Sequence, residues 1–173
     1  MMPPLPIRVT LSLVVLIAAF TDLKSHRIPN WLTLPALPVG LMAQAVYGDG
    51  LWQGLLGALG GFVVPFAILA AGGGGAGDVK LFTVVGSFVG IRNLVVVFVL
   101  VALIGGVAAV VVSLRAGALT RVLKSSLLIV TSFGRGRWAE FRERSDMHQP
   151  GGIRLAYGAV IALGALVFLW YPR

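Results

Sequence analysis

The chain has 173 residues, of which 58% are hydrophobic and only 12% are charged. Soluble domains carry about twice that charged fraction, so the composition indicates an integral membrane protein, and the length suits one domain over 1–173. The absence of cysteine excludes disulfides, a thiolate nucleophile and a cysteine-ligated zinc site. Only His26 and His148 could supply imidazole, and they lie far apart, so we predict no metal centre and no cofactor.

The formal net charge is +8. Nucleic-acid-binding proteins also carry such a charge. In membrane proteins, however, basic residues collect in cytoplasmic loops and set the orientation of the chain. We therefore expect a lipid bilayer, and no nucleic acid, as a partner of this protein.

Apolar segments suited to crossing a bilayer, which takes about 17–25 residues, recur along the chain. We expect six transmembrane helices, at 5–21, 31–47, 51–71, 79–90, 93–114 and 153–171. The first apolar run lacks a small-residue cleavage site after it, so we interpret it as a retained membrane helix and not as a signal peptide. Prolines within the second and third segments are compatible with membrane helices, because neighbours can satisfy the freed carbonyl groups.

Six spans put both termini on one side of the membrane and divide the basic residues unevenly between the two sides. The side of the termini receives three of the 14 lysines and arginines. The other side receives eleven: Lys24, Arg27, Lys80, Arg115, Arg121, Lys124, Arg135, Arg137, Arg142, Arg144 and Arg154. The positive-inside rule makes this side cytoplasmic, so we expect both termini outside the cytoplasm.

The long polar stretch at about 115–152 is predicted to be a cytoplasmic loop. Its first half has apolar residues at helical spacing: Leu119, Val122, Leu123, Leu127 and Val130. With Arg121 and Lys124 on other faces, this pattern is typical of an amphipathic helix in the membrane interface. The alternative, a seventh span, would bury both basic residues. The predicted fold is all-α, with six transmembrane helices and one interfacial helix.

Asp22 closes the first apolar segment, in the stretch FTDLKSHRIPNWLT. A carboxylate in the bilayer is costly, by about 2.5–3.5 kcal/mol at a helix centre and less near the interface, so such a residue is a candidate functional group. Pro29 and Asn30 open the next segment, where proline favours a helix start. Taken alone, the motif favours an ordinary loop in which Asp22 is solvated.

Asp78 follows a glycine tract, GGGGAGDVKLF, at another segment boundary. One interpretation makes Asp78 a helix N-cap. The glycines, among them Gly75 and Gly77, also suit a close approach of backbones or room for an extended peptide. Lys80 lies on a different face from Asp78. It could hold a substrate carbonyl or tune the local field, or its amine could simply reach the membrane interface.

Taken together, the two motifs resemble those of the type IV prepilin peptidases, bacterial members of the GxGD intramembrane aspartic proteases. The matching residues are Asp22 with Ile28-Pro29-Asn30, then Gly75-Ala76-Gly77-Asp78 with Lys80, and, more weakly, Ala156-Tyr157-Gly158-Ala159. The resemblance covers residue 15 to the end. Longer members have an N-terminal extension with cysteine pairs, linked to N-methylation, which this sequence lacks. It looks like the short, peptidase-only form of tight-adherence (Flp) pilus systems, so no methyltransferase activity is expected; archaeal preflagellin peptidases share the aspartate pattern.

The resemblance implies a function and a site. Asp22 and Asp78 would be the catalytic pair of an aspartic endopeptidase, one carboxylate activating a water and the other bonding to the scissile carbonyl. The residues expected to shape the site or bind substrate are Gly75, Gly77, Lys80, Pro29 and Asn30. The implied substrate is a prepilin or pseudopilin with a short basic leader, cut at the cytoplasmic face of a bacterial inner membrane. The roles of the two aspartates and the oligomeric state stay open.

Two other classes of protein are alternatives to a peptidase. Intramembrane carboxylates also mark proton or ion paths, so a transporter subunit is one alternative. A non-catalytic scaffold of a pilus or secretion machine is the other, in which the aspartates would only cap helices. Against a transporter, both aspartates lie at the ends of their segments, and the sequence shows no internal repeat.

Overall fold

The computed structural model describes residues 3–70, 75–115 and 157–171. Five helices make up this part of the chain: α1 Leu5–Ser25, α2 Asn30–Tyr47, α3 Leu51–Ala70, α4 Ala76–Arg115 and α5 Tyr157–Trp170. The all-α prediction is therefore confirmed for the described residues. The predicted interfacial helix and nearly all of the polar loop fall outside them.

Three of the described helices are long and apolar enough to cross a membrane, namely α1, α3 and the stretch Ala76–Val112 of α4. The shorter α5 is apolar but has only 14 residues. The prediction of six transmembrane helices is thus not confirmed. The predicted second segment, which corresponds to α2, is not among these three helices. The fourth and fifth predicted segments both lie in α4, and the last one begins among residues that the structure does not describe.

The long helix α4 is broken at Gly90, where φ is 73° and ψ is 165°. Such angles are accessible to glycine because it has no Cβ atom. The rings of Phe82 and Phe98 stack with centroids 4.5 Å apart. A continuous helix would place these residues about 24 Å apart. α4 is therefore a helical hairpin whose first arm, 76–89, and second arm, 91–115, run in opposite directions.

The first arm of α4 forms the centre of the bundle. Its buried apolar side chains point in most directions around the helix: Val79, Leu81, Phe82, Val84, Val85, Phe88 and Val89. By contrast, α1 is buried along one stripe, Ile7, Leu11, Val15 and Ala18. Large apolar side chains such as Leu13, Leu59 and Val99 are exposed. An apolar exterior around an apolar core is what a helix bundle in lipid presents.

Glycines let α3 pack closely against the first arm of α4. A Cβ atom at Gly57 would fall on the carbonyl oxygen of Gly86, and one at Gly86 would fall on that of Gly57. A Cβ atom at Gly61 would meet the carbonyl group of Phe82 in the same way. Because small residues bring helix backbones together in membranes, these positions fix the distance between α3 and the hairpin.

Gly57→Ala should therefore destabilise the protein. The added methyl group can be accommodated only by moving one backbone away from the other, and overpacking of this kind costs about 1–3 kcal/mol. Gly106→Ala is the matched control, because nothing lies within 4 Å of the position its Cβ atom would occupy. Thermal unfolding in detergent should show a lower midpoint for Gly57→Ala and an unchanged or slightly higher one for Gly106→Ala. Equal midpoints would contradict the close packing.

Candidate active site

Asp22 and Asp78 reach the same end of the bundle from different helices. Asp22 lies in the last turn of α1, and Asp78 lies in the first turn of α4. Both side chains line one cavity of about 870 Å³. The structure thus brings together the two aspartates that the sequence singled out.

The lining of this cavity is partly polar and partly apolar. Its polar members are Asp22, His26, Arg27, Asp78 and Lys80. Six of its apolar members, together called the apolar wall, come from the end of α3 and from both arms of the α4 hairpin: Pro65, Ile68, Phe82, Phe98, Val101 and Ala102. A cavity of this kind, within the range of about 300–1,000 Å³ typical of ligand pockets, suits a ligand that is itself both polar and apolar.

Asp22 is buried, with 7% of its surface exposed. Its Oδ2 atom accepts a hydrogen bond of 2.8 Å from the backbone N–H of Gly158, the second residue of α5. Its backbone carbonyl accepts a bond of 2.7 Å from the N–H of His26, which ends α1 in the left-handed conformation. The C-terminal end of α1 therefore meets the N-terminal end of α5 at this carboxylate.

Asp78 is anchored locally. Its Oδ2 atom accepts a hydrogen bond of 2.9 Å from the backbone N–H of Gly75, the residue just before α4. This is the carboxylate half of a capping box, in which the third helical residue reaches back to the residue that precedes the helix. The N-cap interpretation of Asp78 is thus wrong in position, because Asp78 lies inside the helix and Gly75 precedes it.

Each carboxylate keeps one oxygen free of these anchors. Among the described residues, no hydrogen-bond partner contacts the Oδ1 atom of Asp22 or of Asp78. The same part of the chain contains no group of three or more potential metal ligands. Chemically, the site offers two carboxyl oxygens that can bind a water or a carbonyl group within a partly apolar cavity.

The remaining residues predicted for the site tie the start of α2 to the start of α4. The Lys80 ammonium donates a hydrogen bond of 2.7 Å to Oδ1 of Asn30. Gly77 lies against Ile28, whose side chain is 3.4 Å from the position of a Cβ atom there. Pro29 precedes α2, and its carbonyl accepts the N–H of Leu32 at 3.2 Å. Lys80, Gly75 and Gly77 line the cavity, whereas Pro29 and Asn30 are not among its lining residues.

Gly158 belongs to the motif Ala156-Tyr157-Gly158-Ala159, but the sequence does not predict that its N–H binds the side chain of Asp22. Tyr157, which precedes Gly158 in the sequence, also lines the cavity. The available signal was a tyrosine-glycine pair at the start of an apolar segment. Hydropathy alone does not say which distant side chain such a helix start will meet.

Comparison with known proteins identifies a family for this chain. A model of the type IV leader peptidase family matches residues 9–110, more than half of the chain, and the match includes both aspartates. The chain belongs to the type IV leader peptidase family. The family predicted from the two motifs is therefore confirmed.

The chain is similar to the prepilin leader peptidase/N-methyltransferase of Bacillus subtilis (strain 168), with 39% identity over 112 residues. The alignment covers 61% of this chain and 44% of the relative, so the chain matches less than half of the relative's length. No solved structure matches the chain.

The Lys80–Asn30 bond should hold the start of α2 in place. Because a single hydrogen bond has a net worth of about 0.5–1.5 kcal/mol, Lys80→Ala should speed amide exchange at the start of α2 by up to about tenfold. Asn30→Ala and the double variant should show the same increase, because both remove the same bond. Hydrogen–deuterium exchange in detergent measures the effect.

Lys24→Ala is the control for this experiment, since it removes an exposed positive charge at the same end of the bundle. It should leave exchange at the start of α2 unchanged. Additive effects of Lys80→Ala and Asn30→Ala would show that the two residues act independently, against the observed bond.

Proposed function

We propose that the protein is a membrane aspartic endopeptidase that removes the short basic leader from type IV prepilins or pseudopilins. The observation that carries the proposal is the meeting of Asp22 and Asp78, from separate helices, in one cavity with an apolar wall. Two carboxyl groups that share a site can act as the acid and the base in the hydrolysis of a peptide bond. Membership of the leader peptidase family supports the substrate class.

The proposed reaction uses the carboxylates as a pair. Two close carboxylates do not both ionise readily, so one proton is shared between them. The ionised group takes a proton from a water, and that water attacks the scissile carbonyl carbon. The protonated group donates a hydrogen bond to the carbonyl oxygen and supplies a proton as the bond to the leaving nitrogen breaks. The free Oδ1 atoms suit these roles, because the Oδ2 atoms are already engaged.

The cavity suits a substrate with a basic leader followed by an apolar helix. The apolar wall around Phe98 and Val101 would receive the first apolar residues after the cleavage site. The scissile bond must be extended when it is cut, since helical amides are already hydrogen-bonded. Gly75 and Gly77, which carry no side chain, leave space for such an extended strand beside Asp78.

We further propose that the site faces the cytoplasm of a bacterial cell, in the inner membrane, with both termini on the opposite side. Lys24, Arg27 and Lys80 lie at the same end of the bundle as the two aspartates, as the positive-inside rule expects for a cytoplasmic end. The proposal is limited to leader removal. The name of the Bacillus subtilis relative includes N-methyltransferase, but the alignment covers only 44% of that protein.

Asp22→Asn and Asp78→Asn should each abolish leader removal. Either substitution removes a group that must gain or lose a proton, and loss of one acid–base group typically lowers the rate by about 10²–10⁴-fold. The measurement is co-expression with a prepilin that the wild type cleaves, with leader loss followed by gel shift. Asp49→Asn is the matched control, because Asp49 is exposed in the turn between α2 and α3, at the opposite end of the bundle.

Membrane-inserted protein should be equally abundant in all three variants. Near wild-type processing by either Asp22→Asn or Asp78→Asn would contradict the two-aspartate mechanism. Loss of an ion flux in these variants, with cleavage unchanged, would favour the transporter alternative.

A further inference from the structure

We infer that Gly158 is a positioning residue for Asp22: the backbone N–H at the start of α5 holds this carboxylate in its working orientation. The inference rests on the proposed function, because it assigns a role within the two-aspartate reaction. Gly158 itself does not touch the substrate. It acts through the carboxylate that does.

Asp22 needs a hydrogen-bond donor where it lies. It is buried, and it occupies the C-terminal end of α1, where the helix dipole disfavours a negative charge. Among the described residues, the donor to its side chain is the N–H of Gly158, at 2.8 Å. The first four N–H groups of a helix have no partner within that helix. The hydrogen bond from Gly158 to Asp22 therefore breaks no hydrogen bond inside α5.

Residue 158 must be small because of the space that Asp22 occupies. A Cβ atom there would lie 2.8 Å from Oδ2 and 3.0 Å from Cγ of Asp22. Real Cβ atoms essentially never approach as closely as the first of these distances. The backbone of Gly158 is helical, so the requirement is for room and not for unusual dihedral angles. Any larger residue would displace the carboxylate or the start of α5.

The residues that donate hydrogen bonds to the two carboxylates lie at very different separations along the chain. Asp78 is held by Gly75, three residues before it, so its orientation follows from the local turn. Asp22 is held by a residue 136 positions along the chain. The geometry of the pair therefore depends on where α5 docks. That docking includes a close contact of Gly164 with Val101, where a Cβ atom would lie 2.5 Å from Cγ2 of Val101.

Replacement of a backbone amide by an ester tests the hydrogen bond without adding any atoms near Asp22. Glycolic acid can be incorporated at position 158 by nonsense suppression in cell-free synthesis, which removes the N–H donor. The assay is cleavage of a purified prepilin that the wild type cleaves. We expect kcat per folded enzyme to fall by about 10- to 100-fold, the range expected for a hydrogen bond to a charged group, with KM within about twofold of wild type.

The same ester at position 164 is the matched control. Position 164 lies inside α5, so that ester breaks an internal helical hydrogen bond and should lower thermal stability more than the ester at 158. Its kcat per folded enzyme should stay near that of the wild type. A merely structural role for Gly158 would give the opposite pattern, with stability lowered and kcat unchanged.

Gly158→Ala extends the comparison to living cells, with Gly106→Ala as its control because nothing lies within 4 Å of a Cβ atom at that position. Only Gly158→Ala displaces Asp22, so only that variant should lose leader removal at equal protein abundance. An active wild type together with an equally active ester variant at 158 would overturn this inference and leave the proposed function standing. A wild type that cleaves no prepilin, or an Asp22→Asn variant that cleaves at the wild-type rate, would overturn both.

Discussion

A carboxylate at the boundary of a membrane needs hydrogen-bond donors, and both aspartates of this site obtain them from backbone N–H groups at the start of a helix. Asp78 accepts from Gly75 at the start of α4, and Asp22 accepts from Gly158 at the start of α5. The N-terminal ends of these two helices carry partial positive charge, which stabilises negative groups nearby. The directions of α4 and α5 are therefore constrained by the site, because either helix run in reverse would present carbonyl oxygens to a carboxylate.

The rest of the bundle supports this arrangement with packing. The break at Gly90 turns α4 back on itself, so that Phe98 and Val101 of the second arm return to the level of Phe82 and Asp78. Close glycine contacts hold α3 against the first arm and place Pro65 and Ile68 beside the aspartates. A polar pair and an apolar wall thus share one cavity. Such a cavity suits a peptide that is polar on one side of its cleavage site and apolar on the other.

Much of the fold could be predicted from hydropathy, because burial in lipid and burial in protein both favour apolar residues. The break near residue 90 was visible as a boundary between two apolar segments, and it proved to be the turn at Gly90 between two arms that run in opposite directions. The helix boundaries were less accurate where polar residues continue a helix. α1 runs on through Asp22 to Ser25, and α4 begins at Ala76 because Asp78 bonds back to Gly75. The contacts of Asp22 with Gly158 and of Lys80 with Asn30 join distant parts of the chain, and no local pattern encodes them.

Residues 22 and 78 line one cavity, and cross-linking between them tests this arrangement most directly. The chain contains no cysteine, so an Asp22→Cys/Asp78→Cys variant carries only two thiols. A short bifunctional thiol reagent, with intact mass as the readout, should link these two residues within one chain. Asp49→Cys/Asp78→Cys should not be linked, because the length of α2, about 27 Å, separates position 49 from the cavity. Two separately labelled thiols at 22 and 78, or equal linking of both pairs, would show that residues 22 and 78 do not meet in one cavity.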